Sequence, residues 1–354
     1  MIAQKTNSKM KNLKNSCLVF VSLLFLASCN ESKVTEENQT SADSGISTFS
    51  RIAFGSCNKH DLPQPLWNPI SDEKPDLWIW LGDNIYGDTH DMELLQSKYD
   101  SQYNQEGYSK IRDNVEVIGI WDDHDYGIND GGVFYSKKEE SQQLMLDFLD
   151  EPANSPRRSQ KGAYASYTYG EGDQKVKIYL LDARYHRDTL LREGGSYIPN
   201  MEGTILGKDQ WDWLESEFKD SDAAINIIAS GVQFIAEEHP YEKWSNFPKE
   251  KEKLMNLIVD SGLKAPVFLS GDRHIAEIAK TELPNGKAIY DITSSGLTHT
   301  WKEWRPEENK YRVAGDHIAE LHYGLMEIDW SAREMVFSIK GEDQKEYLRQ
   351  KIAF

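Results

Sequence analysis

Five short apolar runs in this chain each end on residues that carry chemistry, and this repeated ending constrains the fold more than any other feature. Arg51-Ile52-Ala53-Phe54 runs into Gly55-Ser56-Cys57-Asn58, and Asp76 to Leu81 runs into Gly82-Asp83. Val117 to Trp121 stops at Asp122-Asp123-His124-Asp125, Val176 to Leu181 at Asp182-Ala183-Arg184, and Val267 to Ser270 at Gly271-Asp272-Arg273-His274. Short apolar runs bounded by Gly and Asp read as buried strands. Met92 to Tyr103, Lys137 to Leu149, Lys208 to Phe218 and Lys249 to Ser261 read as helices between them, with a further strand at Ile225 to Ala229. Alternating strand and helix predict an α/β sheet, in which ligands bind beyond the carboxyl ends of the strands. The Asp, His, Cys and Arg residues at those ends are therefore expected to converge on one pocket. After Ile275 only strands are expected, at Ile289 to Thr293, Tyr323 to Trp330 and Met335 to Ile339, forming a second sheet.

The start of the chain reads as an export address. Lys5, Lys9, Lys11 and Lys14 precede an apolar run from Cys17 to Leu26 that is too short to span a bilayer. The run ends in Leu26-Ala27-Ser28-Cys29, which resembles the bacterial lipobox whose cysteine is lipidated after cleavage. Residues 1–28 are thus expected to be removed, leaving Cys29 as a membrane anchor outside the cytoplasm. Residues 29–48 are Glu, Ser, Thr, Asn and Gln with almost nothing apolar, a composition that cannot repay the entropy of ordering and reads as a tether. Residues 49–354 show no repeat or second low-complexity stretch and read as one catalytic domain.

Charge adds a constraint. Four of the 40 basic residues lie in the leader, so the processed chain sets 36 against 58 acidic ones, a net charge of −22. Such a surface repels nucleic acid, so no specific nucleic-acid binding is expected, and a phosphorylated substrate requires a locally positive site. Of three cysteines, Cys17 is lost with the leader and Cys29 carries lipid, which leaves Cys57 as a lone thiol at a strand end. Outside the cytoplasm an unpaired thiol is unusual. By itself it reads as either a small buried apolar residue or a ligand.

In order, the motifs Gly-Ser-Cys-Asn, Leu-Gly-Asp-Asn-Ile-Tyr, Trp-Asp-Asp-His-Asp, Leu-Asp-Ala-Arg and Ser-Gly-Asp-Arg-His resemble those of the PhoD-like alkaline phosphatases and phosphodiesterases. That family lies within the metallophosphoesterase superfamily, and the similarity runs from about Arg51 to Trp330. It implies an α/β sandwich of two mixed β-sheets flanked by helices and a site pairing iron with calcium. Carried over, Cys57, Asp83, Tyr86 and His274 look like the ligands of Fe3+, with Asp83 bridging to a second ion held by Asp272. Asp123 is the expected third carboxylate there, with Asp122 as the alternative. The family's larger members have an N-terminal β domain and a C-terminal lid helix for which this sequence shows no counterpart, so the resemblance leaves substrate size open.

The donor types agree with that pairing. Thiolate and phenolate suit trivalent iron, while an all-carboxylate site suits Ca2+, Mg2+ or Mn2+. Cys57, Asp83, Tyr86, Asp123 and Asp272 would bring five negative charges if all ionised, which a +3 and a +2 ion would cancel. The expected reaction is hydrolysis of a phosphate monoester or diester by a metal-activated water, with His124 as general acid and Arg184 forking onto phosphate oxygens. Three rivals remain: a phosphodiesterase acting on phospholipid heads, teichoic-type polymers or extracellular nucleic acid, a phosphate- or metal-binding lipoprotein without catalysis, and a sugar-binding module resting only on Trp301 and Trp304. His60, His186, His299, Asn58 and Asn129 lie where they could face the crevice and are left unassigned.

Overall fold

The structure is a computed structural model that describes residues 49–302 and 308–354. The expected leader, tether and Cys29, together with Trp304, lie outside the described residues. From Arg51 the chain runs β1 (Arg51–Gly55), α1 (Trp67–Asp72), β2 (Leu77–Leu81), α2 (Met92–Tyr103), α3 (Glu106–Arg112), β3 (Glu116–Ile120), α4 (Asp123–Tyr126) and α5 (Lys138–Phe148). It continues through β4 (Ala165–Tyr169), β5 (Val176–Leu181), a hairpin of β6 (Leu191–Glu193) and β7 (Ser196–Ile198), α6 (Gly207–Lys219), β8 (Ile225–Ser230), α7 (Pro248–Asp260) and β9 (Pro266–Ser270). Strands then follow one another: β10 (Ala276–Glu282), β11 (Ala288–Ser294), β12 (Arg312–Ile318), β13 (Tyr323–Asp329), β14 (Glu334–Lys340) and β15 (Glu346–Ala353).

Apart from the β6–β7 hairpin, these strands form two mixed sheets, ordered β15-β14-β13-β1-β2-β3 and β12-β10-β11-β9-β8-β5-β4. The expectation that the strands after Ile275 make a sheet of their own is corrected here. β11 pairs parallel to β9, and β13 pairs antiparallel to β1, so the late strands extend both sheets. The reason is pairing energy: β1 and β9 would otherwise leave open edges, and the late hairpins satisfy their backbone groups.

Alternation along the strands fills two cores. Ile227 and Ala229 of β8 and Val267 and Leu269 of β9 point between the sheets, where Ile52, Phe54 and Ile292 meet them. Their neighbours Ile228 and Phe268 point outward to Trp211, Leu214 and Phe218 of α6 and Leu254 and Ile258 of α7. α6 buries those three residues because they recur every three to four positions on one helical face. On the first sheet's far side Trp67, Leu95, Tyr108 and Met145 of α1, α2, α3 and α5 are buried. β2, Leu-Trp-Ile-Trp-Leu, is buried on both faces, as a central parallel strand must be.

Register positions the pocket. β1, β2 and β3 run parallel, with Gly55 beside Trp80 and Leu81 beside Ile120, so Cys57, Asp83 and Asp122 emerge at one level. β5, β8 and β9 also run parallel, with Leu181 beside Ser230 and Ser230 beside Ser270. The two triplets bring their carboxyl ends together across glycine. A Cβ on Gly271 would lie 2.6 Å from Ser56 Oγ, and one on Gly231 would lie 2.4 Å from Asp122 Oδ1.

Candidate metal centre

The residues that close this crevice sit in unusual backbone. Cys57, Asp83, Asp272 and His274 all have positive φ, between 50° and 68°. Non-glycine residues rarely occupy the left-handed region, and they persist there when the surroundings over-determine them. Asp125 supplies part of that determination. Its Oδ1 accepts the N–H groups of Asp83 (3.1 Å) and Asp122 (2.7 Å), and its Oδ2 accepts that of Asn84 (3.2 Å), so one buried carboxylate ties the end of β2 to the end of β3.

Around this frame the donors fall into linked groups. The donor atoms of Cys57, Asp83 and His274 lie within 4.8 Å of one another, as do those of Asp83, Asp123 and His124 and those of Asp122, Asp123 and Asp272. Cys57 Sγ is 3.5 Å from Asp83 Oδ2. Tyr86 Oη lies 3.2 Å from the same oxygen and 2.9 Å from His274 Nε2, which adds the phenol to the first group. Asp83 thus stands between a mixed sulfur, phenol and imidazole set on one side and a carboxylate set on the other.

The electrostatics fit a site for cations. Burial pushes the Cys57 thiol and the Tyr86 phenol up from their ordinary range, and neighbouring acids push the same way. Asp83 and Asp122 are also raised by burial, and Asp272 is raised to about 7 by burial. Asp123 alone goes down, to about 2: burial raises it, and the attraction of Arg184 and His124 outweighs that. His274 is held at about 2, first by burial and then by His299 and His124, so its ring is neutral and a lone pair is available. Asp122 Oδ2 and Asp123 Oδ1 are buried without a hydrogen-bond donor. Three buried acids that resist ionisation beside a fourth that is ionised, with two carboxylate oxygens unsatisfied, are what bound cations would relieve.

His124 is fixed by a residue that strand-end reasoning missed. Its Nδ1 lies 2.7 and 2.9 Å from the two oxygens of Asp88, and its ring stands 4.2 Å from that of Tyr86. Burial opposes its protonation, but Asp83, Asp88 and Asp123 together raise it to about 10.

Arg184, expected to fork onto phosphate, does something else. Its guanidinium is fully buried, with Nε 2.7 Å from Asp122 Oδ1 and Nη1 2.5 Å from Glu242 Oε2. Glu242 is also 2.9 Å from Arg187 Nε. Arg184 therefore faces a carboxylate of the second group and has no exposed surface to offer a substrate, because strand β5 ends beneath the site. The basic residues lining the cleft are Arg192, on the β6–β7 hairpin, and Arg273. Arg273 lies over the ring of Tyr241, 4.3 Å from its centre, and Arg192 pairs with Asp130 at 2.9 Å.

The cleft encloses about 360 Å³ and is lined by Asp123, His124, Asp272 and His274 at its floor, with Tyr197, Tyr241 and Trp301 among its walls. Asn129 lines it too. Asn58 points into the interior, donating 2.7 Å to Gln102, and His186 faces the Lys161 carbonyl. His299 reaches the centre, its Nε2 3.0 Å from Tyr86 Oη. Asp88 carried a legible signal, five residues after Asp83 in the same loop, whereas Glu242 lies in a loop with no pattern around it.

A family model described as PhoD-like phosphatase matches residues 52–319. Alkaline phosphatase D of Bacillus subtilis (strain 168) is 24% identical over 267 residues, covering 63% of this chain and 45% of that protein. The chain thus spans less than half the length of that curated relative. Among solved structures, one titled "Structure of PhoD" aligns with a TM-score of 0.69 at 17% identity, covering 86% of this chain and 71% of that one. A dimetal phosphatase from Danio rerio aligns with a TM-score of 0.56 at 13% identity, covering 87% and 99%. At such identities these structures speak for the fold.

Proposed function

The chain belongs to the PhoD-like phosphatase family, and from that premise we propose that it hydrolyses phosphate esters at two adjoining cation sites. The observation that carries this reading is the continuity of the donor groups through Asp83, which joins a thiol, phenol and imidazole set to a carboxylate set at the floor of an open cleft. Cys57, Asp83, Tyr86 and His274 would hold Fe3+, and Asp123 and Asp272, with Asp122 beside them, would hold Ca2+, Mg2+ or Mn2+. Ions so bound supply Lewis acidity to the phosphoryl oxygens and a water made nucleophilic near neutral pH.

The protein's own groups do the rest. With Nδ1 committed to Asp88, His124 has Nε2 left for the leaving oxygen, which it protonates as the ester bond breaks. Asp88 keeps the ring turned for that transfer. Arg184 opposes the effect of burial on Asp122 from beneath without overcoming it, and at Asp123 its attraction, with that of His124, wins, so that carboxylate stays ionised. Arg273 and Arg192, the latter paired with Asp130, are the cations in the cleft lining that an anionic substrate would meet in so acidic a chain.

Export and lipid anchoring at Cys29 are part of the same reading, supported by the lysine-flanked apolar run and the small residues before the cysteine. Fractionation of cells expressing the chain and its Cys29→Ala variant tests this, the variant being expected to leave the membrane fraction.

The chemistry is tested with chromogenic mono- and diesters on metal-stripped and reloaded protein. His124→Ala should keep its metal content and lose about 100-fold or more in kcat. Turnover undiminished by that substitution removes His124 from the mechanism, and no turnover by fully loaded protein favours a binding role.

A further inference from the structure

Tyr86 Oη has three partners at hydrogen-bonding distance: His274 Nε2 at 2.9 Å, His299 Nε2 at 3.0 Å and Asp83 Oδ2 at 3.2 Å. A phenol has one proton, so it cannot donate to all three. Under the reading proposed above, Tyr86 meets a cation as phenolate and its oxygen becomes an acceptor only. Asp83 is then a carboxylate and His274 turns its Nε2 lone pair to the same cation, so neither can donate to the phenolate. His299 is left. Its imidazole belongs to none of the groups, among the described residues, whose donor atoms lie within 4.8 Å of one another, so it touches the phenol oxygen without joining the ligand cluster.

The other side of the His299 ring can support a proton on Nε2. Nδ1 lies 3.1 Å from Thr298 Oγ1, which already accepts the Lys59 N–H at 2.8 Å. Thr298 can give its one hydroxyl proton to Nδ1 or to the Cys57 carbonyl at 3.3 Å, and a phenolate beside Nε2 selects the first, because a ring protonated at Nδ1 would set its Nε2 lone pair against the phenolate oxygen. A ring that accepts at Nδ1 carries its proton at Nε2, toward Tyr86. Lys59 and Cys57 are strand-end neighbours of the site, so one hydroxyl couples the loop after β1 to the orientation of the imidazole.

We infer that His299 is a positioning residue that donates a hydrogen bond from Nε2 to the metal-facing oxygen of Tyr86, with Thr298 holding the required tautomer. The bond draws electron density from the phenolate and so sets how strongly that oxygen donates to its cation. This inference rests on the phenolate reading of the site, and its test separates the two. Protein loaded with ferric iron is examined by visible spectroscopy, where a phenolate ligand gives a charge-transfer band, together with metal analysis.

Removing the donor in His299→Phe should leave iron content unchanged and move the band to longer wavelength. His299→Gln, which restores an N–H, should bring it part of the way back, and Thr298→Val should move it in the same direction as His299→Phe by a smaller amount. A band that stays in place in His299→Phe overturns the inference alone, as does loss of iron from that variant, which would make His299 a ligand. Absence of the band from the loaded wild-type chain, or its persistence in Tyr86→Phe, overturns the phenolate reading and this inference with it.

Discussion

At the scale of single residues, the site depends on side chains that hold backbone as much as on those that face the cleft. Asp125 shows this. Three N–H groups from two strand ends converge on its buried carboxylate, and two of them belong to Asp83 and Asp122, donors in the linked groups. Asp125→Ala leaves these donors unmet in the interior and should cost about 3 kcal/mol, measured by urea denaturation, with loss of metal affinity in the same variant. Asp88 acts differently, because its side chain holds a ring. Asp88→Ala should lower kcat about 10-fold by freeing the His124 ring, less than the loss in His124→Ala, with the melting temperature unchanged within about 2 °C. The strand endings put Cys57, Asp83, Asp123, Asp272 and His274 in one crevice and the family resemblance added Tyr86, and the structure does bring these side chains together. The sequence misplaced Arg184, since the Leu-Asp-Ala-Arg ending says that a cation is near the crevice and is silent on which way it points.

At the scale of elements, what matters is how closely two parallel triplets of strands approach at their carboxyl ends. The approach runs through glycines, and Gly231 after β8 is the tightest against a donor residue, with Asp122 Oδ1 where its Cβ would sit. Gly231→Ala should push Asp122 off its place, destabilise the fold by about 1–3 kcal/mol and weaken binding of the ion on the carboxylate side, read by calorimetric titration with Ca2+. The buried chain Asp122–Arg184–Glu242–Arg187 ties the end of β5 to the end of β3 and to the loop after β8. Arg184→Met removes one member and strands two acids, so a loss of about 3–5 kcal/mol is expected on chemical denaturation. Adding Glu242→Gln to it should recover part of that loss, because one of the stranded charges is gone. The longer helices α2, α5, α6 and α7 were legible to within a residue, whereas α1, α3 and α4 are too short for an apolar repeat to show. β10, β12 and β15 were not, since their alternation is broken by charged residues that an edge or half-exposed strand tolerates.

For the whole molecule, the concentration of acids in one place makes stability depend on what neutralises them. Asp272 titrates in the folded chain at about 7, and Asp83 and Asp122 are raised in the same direction, against an ordinary carboxyl value of 3.8. A folded-state pKa above the unfolded one favours the protonated fold. The stability these groups contribute is therefore complete below about pH 4 and is lost as pH rises toward 7. Relative to Asp272→Asn, metal-stripped wild-type protein should lose on the order of 2 kcal/mol between pH 5 and pH 8, a difference that cancels the opposite pull of His274 and His299, whose rings burial holds neutral. Ferric iron with Ca2+ should restore it, and differential scanning calorimetry at both pH values with and without ions checks the sign.

The sequence by itself determined the α/β class, the strand ends that carry the donors and the kind of donor at each, because apolar periodicity and turn residues are local properties written in neighbouring positions. It also determined that any phosphate site must be a positive locality in an acidic chain. Only the tertiary structure decided that the late strands divide between both sheets, that Arg184 lies beneath the site against Asp122 and Glu242, and that Asp88, Asp125 and His299 support its donors. Those facts depend on which strands pair and how closely two sets of strand ends meet. Pairing joins residues such as Asp122 and Arg184, 62 positions apart, or Tyr86 and His299, 213 apart, and no local pattern marks them as neighbours.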